Sequence, residues 1–388
     1  MVSAAAVAQT QPSLNQDKAV ASAPAATSEP ASQPASQPTS QPEKRVAFNP
    51  ITGKMSEITM PASQPTSKPA SQPATKPAES IADSKALYNQ GHYSAAADGY
   101  RKFMSADPMA ASIGLAETLS IQGQYDKALE ALTAVAADGE KNAQWHLAMY
   151  DVLTAVGKYD DALNHAAKAR QLKPVWAPAI YANGQALEML GKKEQACDTY
   201  KTMDRVVAGD AWKADAQSLV ALGNIMDRLS ILTMKKASEQ ASNILQNYIQ
   251  QAYLKVDKNY WPAHVASAIF LLNNHRPKPA MDELNKANKI NPHIPDVFVG
   301  RGAASLGVMN FEECLKQAEL ALAINPKNCD AFLLKAACMM QWRKYDEVEN
   351  LINKALETNP NNLDALSQMA ALHIVTGHKD KADPFIAR

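Results

Sequence analysis

Apolar residues come in paired bursts along this chain, and the pairs return at a fixed interval. Between residues 261 and 360 an apolar run from Ala263 to Leu272 leads into the polar turn Asn274-His275-Arg276-Pro277. A second run with one apolar face then extends from Pro279 to Asn288. This pattern predicts two helices joined by a short turn. Pro279 suits a helix's first turn, where no intrahelical N–H is lost. The phrase closes at Pro292 and closes again at Pro326 and Pro360, 34 residues apart each time. A period of that length predicts a stack of helical hairpins rather than one compact core. Small residues recur where the paired helices must touch: Ala268 and Ala280, then Gly302 and Cys314, then Ala336 and Val348.

Read backwards, the unit reaches residue 79. The first copy supplies Ser84, Gly91, Tyr93, Ala96, Tyr100 and Pro108. The second supplies Ala116, Gly123, Tyr125 and Ala128, with Glu140 in place of the closing proline. The third has Gly157, Tyr159, Ala162, Ala169 and Pro174, with Tyr150 in the small slot, and the fourth has Gly184, Gly191, Ala196 and Tyr200. These residues resemble the tetratricopeptide repeat in register over about 310 residues. The resemblance implies an all-α fold, a right-handed superhelical solenoid of stacked helix-turn-helix repeats. It also implies a protein or peptide partner held on the concave face by the first helix of each repeat.

The expected organisation is a tether at 1–78, repeats 1–4 at 79–206, an elongated atypical hairpin at 207–260, repeats 6–8 at 261–360 and an incomplete final repeat at 361–388. In the atypical segment Asp210 is expected to cap a long helix through Ser218, Leu222, Ile225, Met226 and Leu229. A second apolar stripe follows at Ala241, Ile244, Leu245, Tyr248, Ala252, Tyr253 and Val256. The alternative there is a break between two subdomains. In the final repeat Leu372, Ile374 and Phe385 are expected to stay partly uncovered, a place for a downstream domain or a partner to dock. Residues 1–78 hold 12 of the 23 prolines and one aromatic, Phe48. Such a tract buries too little apolar surface to offset its ordering entropy and reads as a disordered leader. Within it Lys44-Arg45-Val46-Ala47-Phe48-Asn49-Pro50-Ile51 is either a short docking motif or a variation in the linker.

Composition narrows the function class. Lys and Arg (39) balance Asp and Glu (39), which gives no support for a nucleic-acid partner. No run of 18 apolar residues is present to span a bilayer as a helix. Ala6-Val7-Ala8 resembles a signal-peptidase site without the usual basic and apolar segments before it, so exported, periplasmic and cytoplasmic locations all stay open. His-Glu-x-x-His, a Gly-rich phosphate loop and Cys-x-x-Cys are all missing, so no catalytic residue, metal ligand or cofactor is expected. His373 and His378 are spaced too widely round a helix to share a face. Asp160-Asp161 and Glu312-Glu313 begin second helices, where carboxylates meet the helix dipole favourably. Cys314, Cys329 and Cys338 read as small packing residues.

The expected concave face changes character along the array. In repeats 1–4 it presents Lys85, Tyr88, Glu117, Ser120, Asp151, Thr154, Tyr181, Gln185 and Glu188. In repeats 6–8 it presents Val265, Ile269, Leu272, Val299, Ala303, Leu306, Leu333, Ala337 and Met340, an apolar groove for a partner segment or for the protein's own chain. The basic clamp that some members of the family use on a partner's terminal carboxylate is missing. The reading is a non-enzymatic scaffold or adaptor. Its alternatives are the recruiting arm of a larger enzyme and an exported cell-envelope assembly protein.

Overall fold

The computed structural model describes residues 76–234 and 237–387, together with the backbone of two strands at 44–49 and 54–59. Two compact units are separable, residues 9–74 and the helical array of residues 75–388. In the first unit, β1 (Lys44–Asn49) pairs antiparallel with β2 (Lys54–Thr59), Lys44 opposite Thr59 and Asn49 opposite Lys54. The connection Pro50-Ile51-Thr52-Gly53 carries the turn formers that a hairpin needs. The strand β1 falls on the segment read as a docking motif, and the rest of the expected tether lies outside the described residues.

The array is built of hairpins. Repeat 1 is α1 (Ile81–Asn89) and α2 (Tyr93–Lys102), and repeat 2 is α3 (Pro108–Ile121) and α4 (Tyr125–Thr133), followed by the single turn α5 (Ala136–Gly139). Repeat 3 is α6 (Ala143–Ala155) and α7 (Tyr159–Leu172). Repeat 4 is α8 (Ala177–Met189) and α9 (Lys193–Lys201), with the short α10 (Met203–Val207) after it. Next come α11 (Ala216–Leu232) and α12 (Ala237–Ile244), the latter running on through two wider π turns, Leu245–Ile249 and Ala252–Val256. Repeats 6–8 are α13 (Trp261–Asn273) with α14 (Pro277–Ile290), α15 (Pro295–Gly307) with α16 (Phe311–Ile324), and α17 (Cys329–Gln341) with α18 (Tyr345–Thr358). The last pair is α19 (Leu363–Val375) and α20 (Lys379–Ala387).

Local chemistry explains the boundaries. Ser80, Asp107, Asn328 and Asn362 each accept a backbone N–H from the first turn of the helix that follows, satisfying a donor with no intrahelical partner. The cap of α11 is Asp215 rather than the expected Asp210. Asp215 accepts from the Gln217 N–H and the Ser218 hydroxyl, while residues 211–214 form a 3-10 turn that delays the helix.

The small-residue slots organise the packing. In the second helices Ala96, Ala128, Ala162, Ala196, Ala280, Cys314, Val348 and Ala382 are all fully buried. In the first helices the matching Ser84, Ala116, Ala268 and Ala336 are fully buried as well. Tyr150, out of type in its slot, is accommodated by donating its hydroxyl to Gln185 Oε1 at 2.8 Å. First helices pack on first helices in succession from α1 to α19, with α11 joining α8 to α13. At the end of the array Leu372 is buried, contrary to expectation, and Phe385 is half-buried against the His373 ring, whereas Ile374 stays exposed.

The array also returns on itself, which the sequence reading did not anticipate. The interhelix turns of repeats 1–3 dock on the closing Asn-Pro segments of repeats 6–8, about 200 residues away. Asn291 Nδ2 donates to Tyr93 Oη at 3.0 Å, Asn325 Nδ2 to Tyr125 Oη at 3.1 Å and Asn359 Nδ2 to Tyr159 Oη at 3.1 Å. Each Asn Oδ1 accepts the backbone N–H two residues on, at 3.0, 3.0 and 3.1 Å. Each asparagine is therefore held by its own chain while it reaches across. All three asparagines are buried, as are the three tyrosines. Burial raises the tyrosine hydroxyls above the ordinary phenol range, Tyr125 to about 12. A lost rung would strand polar groups away from water, so the ladder is costly to break in part.

Candidate partner-binding cavity

Closure brings two tiers of first helices face to face around a cavity of about 380 Å³. From repeats 1–3 it is lined by Tyr88, Glu117, Ser120, Asp151 and Thr154, and from repeats 6–8 by Trp261, Asp296, Asn328 and Asp330. Two acidic rows meet here. Glu117 and Asp151 lie 34 residues apart on α3 and α6. Asp296, Asp330 and Asp364 lie 34 apart in the first turns of α15, α17 and α19. The repeat itself makes the rows, because equivalent positions of successive hairpins stack.

The electrostatics are strained. Asp151 and Asp296 keep access to solvent inside the cavity, yet helices surround them closely. The Asp151 carboxyl is pushed up to about 7, first by burial and then by Glu117. Asp296 and Asp364 are raised too, by burial and then by Asp330. The N-terminal dipoles of α15, α17 and α19 offset part of the cost of holding carboxylates there. Lys85 supplies a cation at one side. Its Nζ donates to Glu117 Oε2 at 2.7 Å and lies 4.9 Å from the centre of the Tyr88 ring. Tyr88 also meets Trp261 across the two tiers, with ring centres 6.3 Å apart. Trp261 is 8% exposed, and its indole N–H has no hydrogen-bond partner.

Other residues of the expected concave face are placed differently. Gln185 is occupied by Tyr150. Tyr181 stacks on Tyr200 at 6.5 Å, and burial lifts its hydroxyl to about 12. Glu188 accepts from the Tyr200 hydroxyl at 2.7 Å and is held by both Arg228 Nε and Nη2, so α11 of the atypical hairpin clamps repeat 4.

Of the apolar set, Val265, Val299 and Leu333 are core residues, less than 10% exposed. Ile269 and Leu272 are half-buried against the cluster of Trp261, Val265 and Leu284, which Tyr88 and Ile121 of the opposite tier also cover. Val299, Ala303, Leu306, Leu333 and Ala337 share a hollow of only about 40 Å³, bounded by Asp330, Asp364 and Gln368. Met340 is half-buried against the C-terminal cluster that includes Phe385. The buried Cys338 thiol donates to Cys314 Sγ at 3.0 Å, joining repeats 7 and 8.

Sequence reasoning reached Glu117 and Asp151 but missed Asp296, Asp330 and Asp364, and it missed the role of Asn291, Asn325 and Asn359. Both sets carry the 34-residue period. That shared period was the available signal.

No protein-family model and no curated protein matches the sequence. Solved structures with a similar fold include the hetero-tetramer Cut9-Hcn1 of the APC/C, at 14% identity and TM-score 0.44. That match covers 75% of this chain and 55% of the other, so this chain spans about half the length of that relative. PilF of Pseudomonas aeruginosa is similar at 18% identity and TM-score 0.35, with 54% and 88% covered. A tetratricopeptide repeat protein from Parabacteroides merdae is similar at 16% identity and TM-score 0.41, with 67% and 97% covered. The chain's own 34-residue spacing, its buried small-residue slots and its hairpin-on-hairpin packing make the described array a tetratricopeptide-repeat solenoid.

Proposed function

We propose that this chain is a non-catalytic protein-interaction scaffold whose partner segment is held by the inner helices, at the cavity between the tiers. One observation carries the reading: the first helices enclose a solvent-accessible space lined by side chains left without enough partners of their own. A protein that only needed stability would fill such a space with apolar side chains, since unpaired polar groups in a confined site cost free energy. The half-buried Leu272 and Leu306 flank the inner face and would add apolar contact.

The test is co-purification of a partner with the full chain, followed by Leu272→Asp and Leu306→Asp. Loss of the partner with helicity retained supports the scaffold reading, and undiminished recovery with both variants removes it. A second reading, a domain or partner docking on the last hairpin, is favoured by Ile374, Val375 and Ile386, each more than half exposed. Ile374→Asp with Ile386→Asp would then abolish recovery while the inner-face variants left it intact.

A further inference from the structure

We infer that the cavity between the tiers is a receptor for a cationic group, an ammonium or guanidinium, which enters among Glu117, Asp151, Asp296 and Asp330 with its carrier against Trp261. This inference rests on the scaffold reading and names the chemistry of the partner.

Three independent features converge. The space of about 380 Å³ is of the size that takes a side chain with some of its backbone. Its charge is local, because the whole chain is neutral, with 39 basic and 39 acidic residues, while four carboxylates face this space. Lys85 provides one cation, paired with Glu117, and that arrangement already shows an ammonium resting between a carboxylate and an aromatic face. The third feature is Trp261, more than nine-tenths buried, lining the cavity with its indole N–H unpaired. An indole N–H is only a donor. It calls for an acceptor, which a bare cation lacks and a peptide carbonyl beside a cationic side chain supplies.

Electrostatics agree with the geometry. Carboxylates crowded enough to raise one another's proton affinity gain from any positive charge placed among them, and that gain is larger where water is limited. Among the described residues no three His, Cys, Asp or Glu groups converge closely enough to hold a metal ion. The carboxylates are therefore spread as a delocalised or extended cation requires.

The experiment is titration calorimetry on the full chain at low salt with acetyl-Gly-Arg-Gly-amide and acetyl-Gly-Lys-Gly-amide. Agmatine and cadaverine supply the same head groups without a peptide backbone, and acetyl-Gly-Gln-Gly-amide is the neutral probe. The expected result is binding of the cationic probes and not of the neutral one, with the peptides at least fivefold tighter than the free amines. Trp261→Phe should remove that difference and keep the cation binding. If the free amines bind as tightly as the peptides, the cationic site stands and its ligand is a free amine. The paired variant Asp151→Asn/Asp330→Asn should weaken binding at least tenfold, with Asp198→Asn, on the outer surface, as the unchanged control.

Both variants conserve shape and relieve repulsion, and an unchanged circular dichroism spectrum checks that they fold. No binding of any cationic probe at millimolar concentration overturns the inference, as does affinity retained within twofold in the paired variant. A partner whose recovery survives Asp151→Asn/Asp330→Asn but fails with Leu306→Asp also overturns it and leaves the scaffold reading intact.

Discussion

Replacing Gly123 by alanine separates the closure of the array from ordinary turn geometry. Gly123 has φ +73° and Gly191 has φ +71°, so a Cβ at either position costs about 1–2 kcal/mol for left-handed backbone. At Gly191 a Cβ would meet nothing within 4 Å. At Gly123 it would lie 3.0 Å from Asn325 Cγ and closer still to Asn325 Oδ1. Asn325 must then move, breaking its hydrogen bond to Tyr125 Oη and leaving buried amide and hydroxyl groups unsatisfied, a further ~1–3 kcal/mol.

Urea unfolding should therefore show Gly123→Ala less stable than Gly191→Ala by about 1–3 kcal/mol. Stacked repeats can open in part, so hydrogen exchange should also show residues 120–127 and 322–329 losing protection together. In the Asn325→Ala background the extra cost should vanish, because the clash has been removed. Equal destabilisation by the two alanines, within ~0.5 kcal/mol, with unchanged exchange at both segments, would refute the reasoning.

Two further predictions follow from the geometry. Met309 occupies the interhelix turn of repeat 7 with φ +60° and is 56% exposed, so Met309→Gly should relieve backbone strain and raise stability by about 0.5–1 kcal/mol, read by thermal unfolding. The Asp151 carboxyl, ordinarily at 3.8 and raised here to about 7, binds its proton more tightly in the folded protein. Its contribution to stability is thus fully present below about 3.8 and lost as pH rises through about 7. Glu117, Asp296, Asp330 and Lys85 share the cavity and set the field it feels. Asp151→Asn should raise Tm at pH 8 and change it little at pH 4.5, by at most ~1 kcal/mol given solvent screening; a larger gain at pH 4.5 would contradict the sign.

The hairpins were legible because each one needs a small residue at a helix crossing and a turn former 7 or so positions on, and both demands are local. Ala96 and Ala280 could be placed without any partner in view. Closure was not legible in the same way, since Tyr125 and Asn325 meet 200 residues apart and neither residue type is unusual where it stands. Even so, Tyr93, Tyr125 and Tyr159 follow the turn glycine in repeats 1–3, whereas repeat 4, whose turn is exposed, has Lys193 there.

Asp296, Asp330 and Asp364 were hidden by a sufficient local role at helix starts, and only the opposing tier makes them a site. Val265, Val299 and Leu333 show the reverse: an apolar first-helix position reads equally well as groove or core, and contact with the neighbouring hairpins decides for core. Asp210 and Asp215 both offer a carboxylate cap, and the 3-10 turn between them selects the later one.

The most direct test of closure is a zero-length cross-link. Lys327 Nζ lies 3.5 Å from Asp126 Oδ2 across the two tiers, on exposed side chains that a carbodiimide can join as an amide. Lys335 and Glu319, paired between neighbouring helices, serve as the internal control. Mass spectrometry of the digested monomer at high dilution should find the 126–327 link alongside the 319–335 link. Recovery of the 319–335 link without the 126–327 link would contradict the closed array.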